Sequence, residues 1–160
     1  MDSLSLHSPV GPLTVTARDG AVVALGWGRS PHSPGAGGET GLLALARTQL
    51  AEYFDGRRGA FALPLAPGGT DFQRRVWTRM SAIPFGATLS YGALADAVGS
   101  GPRAVAGACA ANPIPILIPC HRVVGAGGAL GGYSGGEGVP TKRLLLQHEG
   151  ALPRVEPVFL

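Results

Sequence analysis

Three short runs of apolar or alternating residues open the chain: Leu4 to His7, Leu13 to Ala17 and Val22 to Trp27. Such runs read as strands when turn residues bound them, and Ser8-Pro9-Val10-Gly11-Pro12 and Asp19-Gly20 do so here. Residues 28–39 are rich in Gly, Pro and Ser and read as a surface loop. The period then changes. Leu42, Leu45, Ala46, Leu50, Tyr53 and Phe54 make one helical stripe, stopped at Asp55-Gly56. A further short strand is expected from Phe61 to Leu65, and Pro67-Gly68-Gly69 reads as the joint between two halves.

The second half opens on a strong helix start. Thr70-x-x-Gln73 is a capping box, with Asp71 in the first turn, where a negative charge suits the helix dipole. Phe72, Val76, Met80 and Ile83 fall on one face, and Pro84-Phe85-Gly86 ends the helix. Ser90 can cap a second helix with Leu94, Ala95 and Val98 inward; Gly99-Ser100-Gly101 makes a tight turn; Pro102 suits the first position of a third helix, to about Ala111. Two short helices about a glycine turn read as a helix-turn-helix. A last helix starts near Pro140 and stops at Gly150. The pattern is that of an α+β chain with halves at 1–68 and 69–160.

Composition narrows the class. The chain has 160 residues, 45% of them hydrophobic and 14% charged, enough for a packed core, and no apolar run long enough to span a bilayer. The start lacks the features of a signal peptide, so a cytoplasmic location is expected and no membrane partner. Cys109 and Cys120 are too few for a disulfide scaffold and show no metal-ligand spacing; no metal and no cofactor are expected. The net charge of +3 lies wholly in residues 69–160, which carry eight Lys/Arg against five acids, while residues 1–68 balance five against five. That bias fits a weak contact with a polyanion.

Chemistry concentrates in the second half. The third helix reads Arg103-Ala104-Val105-Ala106-Gly107-Ala108-Cys109-Ala110-Ala111. Reading the major groove needs several long polar side chains, and one Arg is on offer. Tiny residues such as Ala104 and Gly107 let a helix backbone approach closely. The neighbour is either another helix, in plain packing, or a narrow groove, with Arg103 filling the gap left by a displaced base. In Asn112-Pro-Ile-Pro-Ile-Leu-Ile-Pro119-Cys120-His121 three prolines exclude a continuous helix, so an extended, stiff segment is expected to deliver Cys120 to a fixed place. A thiol becomes a nucleophile when a base takes its proton, and His121 adjoins it; a bridging water would connect such neighbours. Glu149, a carboxylate at a helix C-terminus, is disfavoured there by the dipole and is either solvated or partnered elsewhere, with His121 the candidate. Gly131-Gly132-Tyr133-Ser134-Gly135-Gly136 fits a nucleobase pocket better than a phosphate loop, since no Lys follows at the right spacing.

In these blocks the sequence resembles the O6-alkylguanine-DNA alkyltransferase family, the methylated-DNA–protein-cysteine methyltransferases. The similarity covers roughly residues 40–150 and is densest in Gly69-Thr70-x-Phe72-Gln73-x-x-Val76-Trp77, Ile83-Pro84-Phe85-Gly86, Ser90-Tyr91-Gly92 and Asn112 through Val124, with Pro119-Cys120-His121-Arg122-Val123 the most specific. The resemblance implies an RNase H-like N-terminal domain, then a helical C-terminal domain with a helix-turn-helix. It implies direct reversal of damage: one irreversible transfer of an alkyl group from O6-alkylguanine, and from O4-alkylthymine, to Cys120 after nucleotide flipping. His121 and Glu149 would activate Cys120. Tyr91 would favour protonation of the leaving guanine, Arg103 replace the flipped nucleotide, and Asn112 brace the hinge. Tyr133 and Ser134 would line the pocket, and the Val123 carbonyl would accept from guanine. Ala104 and Gly107 would face the minor groove of double-stranded DNA, bound by a monomer with weak sequence preference.

Some features depart from the family. Zinc ligands of some N-terminal domains have no counterpart, the turn between Tyr91 and Arg103 is shorter than in some relatives, and Cys109 replaces an apolar residue at the pocket wall. Two rival functions differ in turnover: a lesion-flagging module, which lacks the acceptor cysteine, makes none, and a Cys-His-Glu hydrolase makes many.

Overall fold

The computed structural model describes residues 1–29 and 41–152. The first half builds on β1 (Asp2–Leu6), β2 (Leu13–Arg18) and β3 (Ala21–Trp27), an antiparallel sheet in the order β1-β2-β3. Alternation decides its faces. Leu13, Val15 and Ala17 are buried, while Ser5 pairs with Thr14 (2.9 Å) and Ser3 with Thr16 (3.3 Å) through hydroxyls on the other face. Asp19 and Gly20 both take positive φ (52° and 80°), the geometry of a tight hairpin turn. Of the loop expected over 28–39, only Gly28 and Arg29 lie within the described residues.

Helix α1 (Gly41–Phe54) packs with Leu43, Ala46, Gln49, Leu50 and Tyr53 inward. The stripe is rotated from the expected one: Leu43 is buried and Leu45 is 45% exposed. Gln49 sits on the packed side because its amide satisfies both backbone groups of Ala62, donating at 3.2 Å and accepting at 2.8 Å. The strand expected over 61–65 does not form. Only Leu65 bridges to Val22, through Val22 N–H to Pro64 O (2.9 Å) and Ala66 N–H to Val22 O (2.8 Å). Pro64 has no N–H, so a longer ladder would lack a donor there.

Helix α2 (Asp71–Met80) starts at the expected box: Thr70 Oγ1 accepts from Gln73 N–H at 3.1 Å and Gln73 Oε1 from Thr70 N–H at 2.9 Å. Val76, Trp77 and Met80 face the core; Ile83 is buried too, but in the irregular chain beyond the helix. Ser90 caps α3 (Tyr91–Val98), and Gly99, at φ 69°, ends it. Helix α4 (Pro102–Ala110) follows and packs on α2, where Trp77 Nε1–H donates to Ala108 O at 2.8 Å. Two short strands, β4 (Leu89–Ser90) and β5 (Val123–Val124), pair in parallel and seat the chain after Cys120 beside the start of α3. Helix α5 (Val139–His148) closes the chain. Buried residues of both halves join in one cluster, and Leu25 N–H on β3 donates to Pro113 O at 2.9 Å. The N-terminal sheet thus braces the segment that carries Cys120.

Candidate active site

That segment is not extended, as the prolines led one to expect. Ile118 N–H donates to Ile114 O (2.8 Å), so it folds back on itself. Asn112 supplies the bonds that the prolines cannot: its Nδ2–H donates to Ile118 O (2.8 Å) and its Oδ1 accepts from Ile114 N–H (3.0 Å). Ile116, 1% exposed, takes φ 74°, a conformation that costs a β-branched residue about 1–3 kcal/mol and is held by its surroundings. At Pro119 (φ −81°, ψ 66°) an inverse γ-turn closes through Cys120 N–H to Ile118 O at 2.8 Å. Proline's preset φ suits this turn, and it launches a 3-10 turn at Cys120–Arg122.

Behind Cys120 lies a buried polar group. His121, fully buried, bonds through Nε2 to Glu149 Oε2 at 2.7 Å. With the proton on Nε2 facing the carboxylate, Nδ1 is left as an acceptor, and it has no protein partner. Burial pushes the imidazole pKa down against the pull of Glu149, which favours the neutral, base-competent ring. Glu149 is therefore partnered, not solvated. It follows α5 as its C-cap and is 4% exposed. Arg122 clamps it in bidentate fashion (Nε to Oε1 2.8 Å, Nη2 to Oε2 3.1 Å), and Tyr53 Oη–H donates to Oε2 at 2.5 Å. Burial alone would raise this carboxyl; the bonds from His121, Arg122 and Tyr53 overcome that and bring it to about 2. Arg122 also donates to Ile83 O at 2.6 Å.

The sequence assigned neither Arg122 nor Tyr53 a role at the site. A buried arginine demands a carboxylate, but that Arg122 is buried was decided by the fold. Tyr53 had no signal beyond its place on a helical stripe 96 residues from Glu149. Lys142 was missed as well. It is fully buried, donates to Val123 O (2.7 Å) and Gly132 O (3.1 Å), and lies 5.6 Å from the Tyr91 ring centre. Burial lowers its pKa, while the Cys120 and Cys109 thiols oppose that. It ties β5 to the glycine-rich loop. The Val123 carbonyl, expected to receive guanine, already accepts from Lys142.

Cys120 is 7% exposed, and burial raises its thiol pKa; the Asn112 side chain and the charge of Lys142 pull it down. The thiol borders a cavity of about 410 Å³ with Tyr91, Cys109, Tyr133 and Ser134 among its walls. That volume is in the range of roughly 300–1,000 Å³ found for small-molecule sites. Tyr91 is pushed up to about 12, chiefly by burial, and so stays a proton donor. Gly131 must be glycine: its φ is 73°, and a Cβ there would stand 2.8 Å from the Tyr91 ring. Ser134 Oγ–H donates to Ala110 O (3.2 Å), and Tyr133 Oη is buried with no protein partner. Cys109 lines the cavity and contacts Met80 sulfur at 3.4 Å, serving packing and wall together.

Helix α4 combines both readings of its small residues. Val105, Ala108 and Cys109 pack inward, whereas Arg103, Ala104, Ala106, Gly107 and Ala110 are exposed, beside the cavity mouth formed by Ala106 and Ala110. A Cβ added at Gly107 would meet nothing within 4 Å. The structure thus brings Cys120, His121, Glu149, Asn112, Tyr91, Tyr133, Ser134 and Val123 to one place and leaves Arg103, Ala104 and Gly107 on an outer face next to it.

Two family models match the chain: the ribonuclease-like domain of 6-O-methylguanine DNA methyltransferase over residues 4–67 and the DNA binding domain over residues 71–151. A methylated-DNA–protein-cysteine methyltransferase of Mycobacterium leprae is 43% identical over 137 residues, 82% of this chain and 83% of the relative. One of Mycobacterium tuberculosis is 41% identical over 150 residues, 91% and 90% of the two. Among solved structures, the Mycobacterium tuberculosis OGT in complex with DNA superposes with a TM-score of 0.83 at 41% identity, covering 94% of each chain. An O6-methylguanine DNA methyltransferase from Methanococcus jannaschii gives 0.67 at 27% identity, covering 98% of each.

Proposed function

The chain belongs to the 6-O-methylguanine DNA methyltransferase family, and on that premise we propose that it repairs DNA by taking the alkyl group from O6 of a damaged guanine onto Sγ of its own Cys120. The observation that carries the reading is the His121–Glu149 bond of 2.7 Å behind a thiol that borders a base-sized cavity. The resting thiol is protonated, because burial raises its pKa, so a base must act. His121 Nδ1 takes the proton through a bridging water, and Glu149 steadies the imidazolium through Nε2–H. Arg122 and Tyr53 hold Glu149 in place. Sγ attacks the alkyl carbon, the C–O6 bond breaks with its electron pair passing to guanine, and a thioether forms. Tyr91, whose hydroxyl stays protonated at neutral pH, donates its proton to the departing guanine and regains one from solvent, while the proton taken by His121 passes back to solvent. Thioethers resist water, so each chain reacts once. O4-alkylthymine carries its alkyl group on an equivalent exocyclic oxygen, with thymine as the leaving group, and is read as a second substrate.

On this reading the first 68 residues are an RNase H-like domain, and residues 69–160 bind DNA and accept the alkyl group. α3, the Gly99–Gly101 turn and α4 form a helix-turn-helix. The exposed small-residue face of α4, Ala104 and Gly107 included, enters the minor groove, with little to read sequence. Arg103 fills the space left by the flipped nucleotide, while Tyr133, Ser134 and the Val123 carbonyl hold the base. Asn112 braces the Cys120 segment. The chain acts as a monomer in the cytoplasm; no helix among the described residues is long and apolar enough to cross a membrane. The test is intact mass and peptide mapping after exposure to a duplex containing O6-methylguanine. One methyl group on the Cys120 peptide, followed by arrest, is expected. A methyl on Cys109, no gain of mass, or continued turnover refutes the reading.

A further inference from the structure

A second cavity, of about 420 Å³, borders Cys120 on the side of the N-terminal sheet, and it too is walled by Tyr133 and Ser134. Its other apolar walls include Pro113 and Pro115, with Leu25 and Trp27 of β3. Trp27 is fixed from several directions. Its Nε1–H donates to Val10 O at 3.0 Å, and its ring meets Tyr133 edge to face at 6.1 Å between centres. Its register with Leu13 belongs to the β2–β3 ladder, and Leu25 two residues before it bonds Pro113. Gly135 and Gly136 lie flat against the indole: a Cβ at either would collide with it or press on Nε1. The indole is thus a rigid wall delivered by the first half of the chain to a site otherwise built by the second half.

We propose that Trp27 is a specificity-determining residue, the wall that sets how large an alkyl group Cys120 can accept. The inference rests on the alkyl-transfer reading above. With the base in the first cavity, a methyl group reaches Sγ without entering the second. A longer or aromatic group on O6 extends past the thiol into the space that Trp27 bounds. Shortening Trp27 enlarges that space. It also loosens Tyr133 and slows every transfer, so the informative quantity is a ratio of rates.

The experiment compares single-turnover rates on one duplex carrying either O6-benzylguanine or O6-methylguanine, for wild type, Trp27→Ala, Trp27→Leu and Trp27→Phe. Trp27→Ala should raise the benzyl-to-methyl ratio roughly tenfold, the low end of what a methylene-sized change does in an apolar pocket. Trp27→Leu should raise it less and Trp27→Phe least. Should Trp27→Ala not fold, the order Leu above Phe above wild type carries the same test. A ratio that is unchanged or falls in the folded variants overturns the proposal, because a merely structural role would slow both substrates alike. A wild-type chain that gains mass from neither duplex overturns the alkyl-transfer reading itself and this inference with it.

Discussion

Replacing Glu149 with Gln removes a charge and keeps the shape, and its cost can be worked from the site. The carboxyl sits at about 2 against an ordinary 4.5, and it is 4% exposed, so solvent screening takes little away. Each tenfold change in proton affinity is worth about 1.4 kcal/mol, so the ionised carboxylate contributes about 3 kcal/mol to the folded state. That agrees with the ~3–5 kcal/mol typical of breaking a buried ion pair, and here Arg122 would be left buried with only Ile83 O and an amide. For a chain of this size the melting temperature should fall by roughly 6–12 °C at neutral pH. The pH dependence is the sharper test. A carboxyl whose folded pKa is depressed stabilises fully above its unfolded value and loses that contribution as pH falls through the folded one. The gap between wild type and Glu149→Gln should therefore be constant above pH 4.5 and close progressively toward pH 2. Denaturant unfolding of both proteins at pH 7, 5, 4 and 3 measures it. A gap below about 1 kcal/mol at pH 7, or one that does not narrow in acid, would show that Glu149 is not the depressed carboxylate argued here.

Three further outcomes follow from the outer face of α4. Arg103→Ala should slow repair in duplex DNA by about tenfold or more, since extruding a nucleotide costs a few kcal/mol, and should leave reaction with free O6-benzylguanine near wild type; equal loss on both substrates would assign Arg103 to the fold or the pocket. Gly107→Ala should stabilise the chain by about 0.5–1 kcal/mol, because the added Cβ meets nothing and helix propensity improves. Gly107→Leu should then weaken duplex binding while sparing reaction with the free base, and unchanged affinity in a titration would argue against close approach of this helix to DNA.

Local rules carried far in this chain. The capping box at Thr70, the cap at Ser90, the Gly99 stop and Pro102 at a helix start are contests between a few neighbouring groups, and residue types settle them. The Cys120-His121 pair was legible for the same reason, and Glu149 stood out as a charge at the wrong end of a helix dipole. What the sequence left open depends on partners far along the chain. Whether Leu43 or Leu45 turned inward depended on the sheet that α1 met. The Cys120 segment coiled because Asn112 reached across six residues to Ile118, a bond that proline counting does not reveal. Lys142 and Tyr53 look like ordinary members of amphipathic helices until folding buries them against two carbonyls and a carboxylate. Trp27 is the extreme case: a strand residue by pattern, it becomes a wall of the site only because the N-terminal sheet packs against the loop of Tyr133. Periodicity and capping are set over distances of a few residues, whereas burial, and with it every shifted pKa and cavity wall, is set by which elements share a core.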